Sequence, residues 1–211
     1  MDNIVGADLY LDQVDLGRYW PENASVSCED FLVQMREGKA NIEDYSFLTP
    51  RQMNAFGLVL DAERYLPSVP LITVPQPIEA ELLSVNRPDE DALVIVSGNN
   101  KFTFEVLAAV WSQGLTPAYF LLVDCSGSTV DMAMVYADFT PERLWHAVET
   151  SGLERKVKHR RMIVPGFTSS LVDDFAKATN WQVEAGPTCI IELPLFLGNH
   201  WIFSKSSEGH G

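Results

Sequence analysis

The sequence is short of positive charge. Its 15 Lys and Arg stand against 29 Asp and Glu, a formal net charge of −14 over 211 residues. Nucleic-acid phosphates are held mainly by Lys and Arg, so this balance argues against a nucleic-acid partner. The acidity reads instead as a well-solvated surface. No apolar run approaches the roughly 20 residues a membrane helix needs, and the start, Met1-Asp2-Asn3-Ile4, lacks the basic opening of a signal peptide. Cysteine is scarce: Cys28, Cys125 and Cys189 are far apart and odd in number, which implies no disulfide framework. A reducing, cytoplasmic location is the expectation. The histidines, His146, His159, His200 and His210, form no pair at metal-ligand spacing. No Ser–His–Asp or Cys–His set and no acid–base pair can be read, so catalysis by side chains is not expected.

What is present is an apolar core with regular punctuation. At 46% hydrophobic and 21% charged, the chain can bury a core. Residues 1–20 carry Tyr10, Leu11, Tyr19 and Trp20 without clean periodicity. Asp30 to Lys39 reads as a helical stretch with Gly38 as its C-cap. Thr49-Pro50-Arg51-Gln52 is a helix start, with Thr49 as cap, Pro50 in the first turn and Gln52 completing a capping box. Pro67, Pro70, Pro75, Pro77 and Pro88 exclude a long helix and mark an extended connector. This divides the chain into a helical module over 1–66, a connector over 67–91 and an α/β domain over 92–203. The tail 204–211 is polar and expected to fray.

The organising stretch is 92–137. Ala92-Leu93-Val94-Ile95-Val96 breaks at Ser97-Gly98-Asn99-Asn100-Lys101, and a helical run follows. Ala118-Tyr119-Phe120-Leu121-Leu122-Val123-Asp124 breaks at Cys125-Ser126-Gly127-Ser128-Thr129, and a short helix follows. Two β-branched runs joined by a helix-length crossover describe a βαβ unit with parallel strands. Strands at 161–164 and 181–185 alternate with helices at 140–152 and 169–179. The expected fold is α/β, a Rossmann-like, doubly wound, mostly parallel sheet with a small helical N-terminal module. Ligands of such sheets lie beyond the carboxyl ends of the strands. All four strands end in loops rich in Gly, Pro, Ser or Thr, which reads either as ordinary turn chemistry or as a shared crevice. Loops 97–101 and 125–129 are the first candidates.

Residues 93–201 resemble the corrinoid-binding domain of the large subunit of the corrinoid iron–sulfur protein, which serves the carbon monoxide dehydrogenase/acetyl-CoA synthase system. The same domain occurs in the corrinoid protein of bacterial mercury methylation. The resemblance rests on Val96 to Phe104, Leu121-Leu122-Val123-Asp124 with Gly127, Phe139-Thr140, Ser151-Gly152-Leu153, Val157 to Arg161, Ile163-Val164-Pro165-Gly166, Gly186-Pro187, and Pro194 with Phe196-Leu197, in family order. It implies a corrinoid (cobalamin) cofactor, a carrier role in methyl transfer or one-carbon metabolism, and a ligand site at Ser97, Gly98, Asn99, Asn100, Lys101, Phe102, Thr103, Ser126, Gly127, Thr129, Val130, Met132, Ala133, Pro165, Gly166, Gly186 and Pro187. The alternative is a non-catalytic interaction or regulatory subunit that kept the fold and lost the cofactor. The partner is then a protein rather than a small molecule.

The N-terminal region is similar to that protein's iron–sulfur domain through Cys28-Glu29-Asp30-Phe31, Gly38-Lys39-Ala40 and Phe47-Leu48. The four cluster-ligand positions fall on Trp20, Asn23, Cys28 and Tyr45. Clusters of this kind are held by four thiolates, so one cysteine speaks against an iron–sulfur cluster. The helix after the second strand, 129–134, corresponds to the family's cap on the lower face of the corrinoid. Met132 there is either a core filler or a contact to cobalt, and Asp131 must be solvated or paired. Asn99 and Asn100 either bond the ligand or shape a turn. The basic run Arg155 to Arg161 either attracts an anionic tail or is a solvated helix end.

Overall fold

The computed structural model describes residues 4–5, 14–70, 74–79 and 81–203. Tyr10, Leu11 and the tail 204–211 lie outside the described residues. The sheet is built where the β-branched runs predicted it. Strand β4 (Leu93–Gly98) pairs in parallel with β5 (Ala118–Val123), from Leu93 opposite Ala118 to Gly98 opposite Val123. On its other side β4 meets β6 (Arg161–Val164), with Ile95 opposite Ile163, and β6 pairs in parallel with β7 (Gln182–Ala185). One strand was not foreseen. β3 (Leu82–Val85), inside the expected connector, joins the open edge of β5 antiparallel, giving the order β3-β5-β4-β6-β7. An edge strand needs only one hydrogen-bonded side, so a short run between prolines suffices. A separate ribbon pairs β1 (Ile4–Val5) with β2 (Val69–Pro70).

Five helices belong to the expected α/β region: α3 (Lys101–Trp111), α4 (Val130–Val135), α5 (Pro141–Ser151), α6 (Val172–Thr179) and α7 (Leu193–Leu197). Alternation along the central strands separates two cores. Val94, Val96, Leu121, Val123, Met162 and Val164 face Leu144, Val148 and Phe175 of α5 and α6. Ile95, Ala118 and Phe120 face Leu107 and Trp111 of α3 and Leu193 and Leu197 around α7. The helix expected at 169–179 begins as a tighter 3-10 turn, Gly166–Leu171, before α6.

The N-terminal residues add α1 (Cys28–Arg36) and α2 (Pro50–Leu60), followed by a 3-10 turn at Ala62–Arg64. The capping box at the start of α2 forms as read: Thr49 Oγ1 accepts from the Gln52 amide at 3.2 Å, and Gln52 Oε1 accepts from the Thr49 amide at 3.0 Å. Around these helices lies a third core of Leu16, Phe31, Tyr45, Phe56 and Val59, and it runs on into Cys189, Ile191 and Leu195 from the far end of the chain. Trp201 Nε1 donates to Asn54 Oδ1 at 3.1 Å and Arg51 donates to Asn199 Oδ1 at 2.7 Å across the same junction.

Candidate functional site

The strand order places a switch point between β4 and β6, because the chain leaves β4 for β5 on one side and later enters β6 on the other. Crossover helices diverge there and open a crevice at the carboxyl ends. The structure has that crevice, a cavity of about 270 Å³. Ser97 ends β4 on its floor; Phe102, Thr103 and Val106 of α3 form one side; Thr129, Val130 and Asp131 at the start of α4 form the rim. Pro165 and Phe167 after β6, and Gly186 to Ile190 with Leu193 after β7, close the far wall, and Val69 reaches in from the connector. Of the residues assigned by resemblance, Ser97, Phe102, Thr103, Thr129, Val130, Pro165, Gly186 and Pro187 line it.

The others do not. Asn99 and Asn100, expected as exposed loop positions, are 6% and 1% exposed. Asn99 Oδ1 accepts from the Cys125 and Gly127 amides at 2.9 and 3.1 Å, and its Nδ2 donates to Asp124 at 3.0 Å. Asn100 Oδ1 caps α3 by accepting from the Thr103 amide at 3.0 Å, and its Nδ2 donates to the Gly127 carbonyl at 2.7 Å. Their polar atoms are therefore already engaged by the protein. The connector lies against the same loops: the Gln76 amide donates to the Gly127 carbonyl, the Lys101 amide to the Gln76 carbonyl and the Ile78 amide to the Asn99 carbonyl, at 2.8 to 3.0 Å. Gly127 has φ +76°, and a Cβ there would come within 2.4 Å of the Pro77 nitrogen. Gly166 serves the far wall in the same way: its amide donates to the Pro187 carbonyl at 3.0 Å, and a Cβ would meet Pro187 at 2.6 Å.

Gly98 and Ser126 lie outside the lining, and Lys101 is exposed beside Glu105 at 3.8 Å. Ala133 is fully buried on the inner face of α4. Met132 is 37% exposed, neither a core filler nor turned into the crevice, and Val135 and Tyr136 on the same helical stretch are 75% and 64% exposed. Phe167, in the cavity wall, is 44% exposed as well. The basic run lies at the opposite, amino-terminal edge of the sheet, where it precedes β6. Lys158 pairs with Glu90, Arg160 with Glu154 at 3.4 Å, and Lys156 sits over the Tyr119 ring. It cannot reach a ligand at the carboxyl edge.

The sequence reading raised Asp131 on the capping helix but assigned to the site none of Val69, Val106, Phe167, Thr188, Cys189, Ile190 and Leu193. The first comes from a connector with no pattern, and the last four follow a strand end but belong to a turn whose path the sequence does not fix. Chemically the crevice is apolar with hydroxyls. Ser97, Thr129 and Thr188 make no side-chain hydrogen bond among the described residues, and no Lys, Arg or His lines the cavity. The amide that a phosphate would use at the start of α3 is taken by Asn100. The two thiols near it are held protonated: burial pushes Cys125 up to about 12 and Cys189 up to about 11. Neither is a nucleophile at neutral pH while it stays buried. Among the described residues, no group of three His, Cys, Asp or Glu side chains is arranged to hold a metal ion.

The CO dehydrogenase/acetyl-CoA synthase delta subunit family matches residues 64–196, a stretch that contains β3 to β7 and every wall of the crevice. The chain belongs to this family. Among curated proteins it is similar to the gamma subunit of the acetyl-CoA decarbonylase/synthase complex of Methanopyrus kandleri, 32% identical over 123 residues, which cover 58% of this chain and 27% of the relative. The corresponding subunit of Methanocaldococcus jannaschii is 28% identical over 127 residues, covering 60% and 26%. The corrinoid/iron-sulfur protein large subunit of Moorella thermoacetica is 29% identical over 114 residues, covering 54% and 26%. The matched part of the chain thus spans about a quarter of the length of these relatives.

Proposed function

We propose that the chain is a corrinoid-binding member of its family, a carrier related to the methyl-carrying corrinoid proteins of one-carbon metabolism and an associate of a protein complex. The observation that carries this reading is the coincidence of the switch-point crevice with eight residues that the corrinoid-binding domain resemblance assigns to ligand contact. The residues fit such a group in kind. A cavity of about 270 Å³ cannot enclose a corrin macrocycle, but it can take one side of it, with unpartnered hydroxyls for peripheral amides. The exposed Phe167 in its wall, and Met132 on the helix that starts at its rim, would suit the edge of a flat, largely apolar ring. Bound there, the corrinoid would supply cobalt as the methyl-carrying atom. The chain's residues would bind, orient and shield it; Asp131 at the rim would stay in contact with water.

The N-terminal positions that correspond to cluster ligands support a role without iron and sulfur. The Trp20 ring lies 4.7, 5.5 and 5.4 Å from Phe31, Phe47 and Phe56, and Tyr45 lies 4.9 Å from Phe31. Tyr45 is buried and donates to Gln34 at 2.9 Å. The rings interlock as core, each aromatic pair contributing about 0.5–1.5 kcal/mol beyond its buried area.

A second reading, an interaction subunit without cofactor, draws on one observation: Asn99 and Asn100 spend their polar groups inside the protein. Titration with hydroxocobalamin separates the two. Saturable binding with a shifted visible spectrum is expected, and an unchanged spectrum at high protein concentration would remove the corrinoid reading. Anaerobic reconstitution with iron and sulfide is expected to leave no stoichiometric iron; four iron atoms per chain would overturn that part.

A further inference from the structure

One wall of the crevice lies beyond the strands and is held from two sides. The segment 186–193 follows β7 and turns through a 3-10 turn, Ile190–Glu192, into α7. Toward the cavity it presents Pro187, Thr188, Ile190 and Leu193. On its other side Ile191 packs in the N-terminal core with Phe31 and Phe56, and Cys189 belongs to both surfaces. The same turn buries a carboxylate: Glu192 is 4% exposed, and its Oε2 accepts from the Tyr19 hydroxyl at 2.9 Å. Arg18 stands next to Tyr19, its guanidinium 5.8 Å from the ring centre, and Asp15 is the other charge nearby. A short turn with no strand behind it opens easily unless something fixes it. Here Leu193 anchors it on the sheet side with Ile95, Leu107 and Phe120, and a partly buried hydrogen bond and an apolar core from the other end of the chain fix its other side.

We propose that Tyr19 and Glu192 are positioning residues for the crevice: through them the N-terminal half holds wall 186–193 in place and sets ligand affinity from outside the α/β sheet. The affinity part rests on the ligand-binding reading above; the placement of the wall does not. The proposal gives the N-terminal half a function of its own that needs no metal.

The test uses the full chain with two single substitutions. Tyr19→Phe keeps the ring and removes the donor; Glu192→Gln keeps an acceptor for the hydroxyl. The first readout is the alkylation rate of Cys189 by iodoacetamide, resolved by peptide mass spectrometry, with the buried Cys125 under the β5 loop as internal control. The second is the affinity for hydroxocobalamin by visible absorption. Losing this partly buried hydrogen bond should raise the Cys189 rate and weaken hydroxocobalamin binding by about three- to tenfold, with Cys125 unchanged. Glu192→Gln should stay close to wild type in both. An unchanged Cys189 rate in Tyr19→Phe, or equal acceleration of Cys125, would overturn the proposal. So would a faster Cys189 with unaltered affinity. If the wild type does not bind hydroxocobalamin, the corrinoid reading fails, and the contrast between Cys189 and Cys125 still decides whether Tyr19 holds the wall.

Discussion

The loops after β4 and β5 and the loops after β6 and β7 share one edge of the sheet and have much the same composition, yet they end in opposite states. The first pair is sealed. Asn99 and Asn100 bridge the two loops, and the connector lies across them through Gln76, Pro77 and Ile78. The second pair, joined through the Gly166 amide and the Pro187 carbonyl, leaves a cavity against Ser97, Thr103 and Thr129 where the strand order reverses. Polar residues in a loop thus have two uses. They satisfy the backbone of a neighbouring loop, or they are left for a ligand. Both pairs are rich in Gly and hydroxyl residues, and the hydrogen-bond partners tell the two uses apart.

The largest effect that would break this contrast belongs to the sealed side. Gly127→Val combines a left-handed backbone with a collision against the Pro77 nitrogen at 2.4 Å. It should cost about 3 kcal/mol or more in denaturant unfolding. A near-native midpoint would mean that the connector does not lie where it is described. Asn99→Ala comes next. It strips the acceptor from two buried amides, Cys125 and Gly127, for a loss of about 2–3 kcal/mol. An exposed ligand contact would instead cost less than about 0.5 kcal/mol, so the same unfolding curve discriminates.

A smaller effect is set by pH. Burial raises the Glu192 carboxyl above its ordinary value, opposed by the Tyr19 hydroxyl and Arg18. A raised folded-state pKa contributes stability that is complete below the unfolded value, about 4.3 for Glu, and is lost as pH rises through the folded value. Glu192→Gln does not titrate. Relative to wild type it should therefore gain stability as pH rises from about 4 toward neutrality; a difference that is flat or falls over that range would show that the carboxylate is not penalised in the fold. The smallest effects lie on the open side. Thr188→Ala and Met132→Leu, both exposed, should change stability by less than about 0.5 kcal/mol. Thr188→Ala should nonetheless weaken hydroxocobalamin binding by about three- to tenfold if its hydroxyl meets the ligand. Equal affinity would move the contact elsewhere along the wall.

The sequence by itself determined the elements. Alternating and continuous β-branched runs placed β4 to β7, the Thr49 capping box started α2, and Thr140-Pro141 started α5, because these signals act within a few residues of chain. It also carried the family resemblance, which marked eight lining residues. It did not reveal β3, since an edge strand between prolines has no strong local pattern. Only the tertiary structure decided which polar side chains are spent and which are available. Asn99 and Ser97 are two residues apart, but the side chain of one is consumed by the β5 loop while that of the other makes no hydrogen bond among the described residues and lines the cavity. Only the tertiary structure, likewise, brought Tyr19 to Glu192 across 173 positions and put the N-terminal core behind a crevice wall. Such contacts depend on where a strand order opens the sheet and on how distant apolar surfaces close against each other, and neither is written in any local stretch of residues.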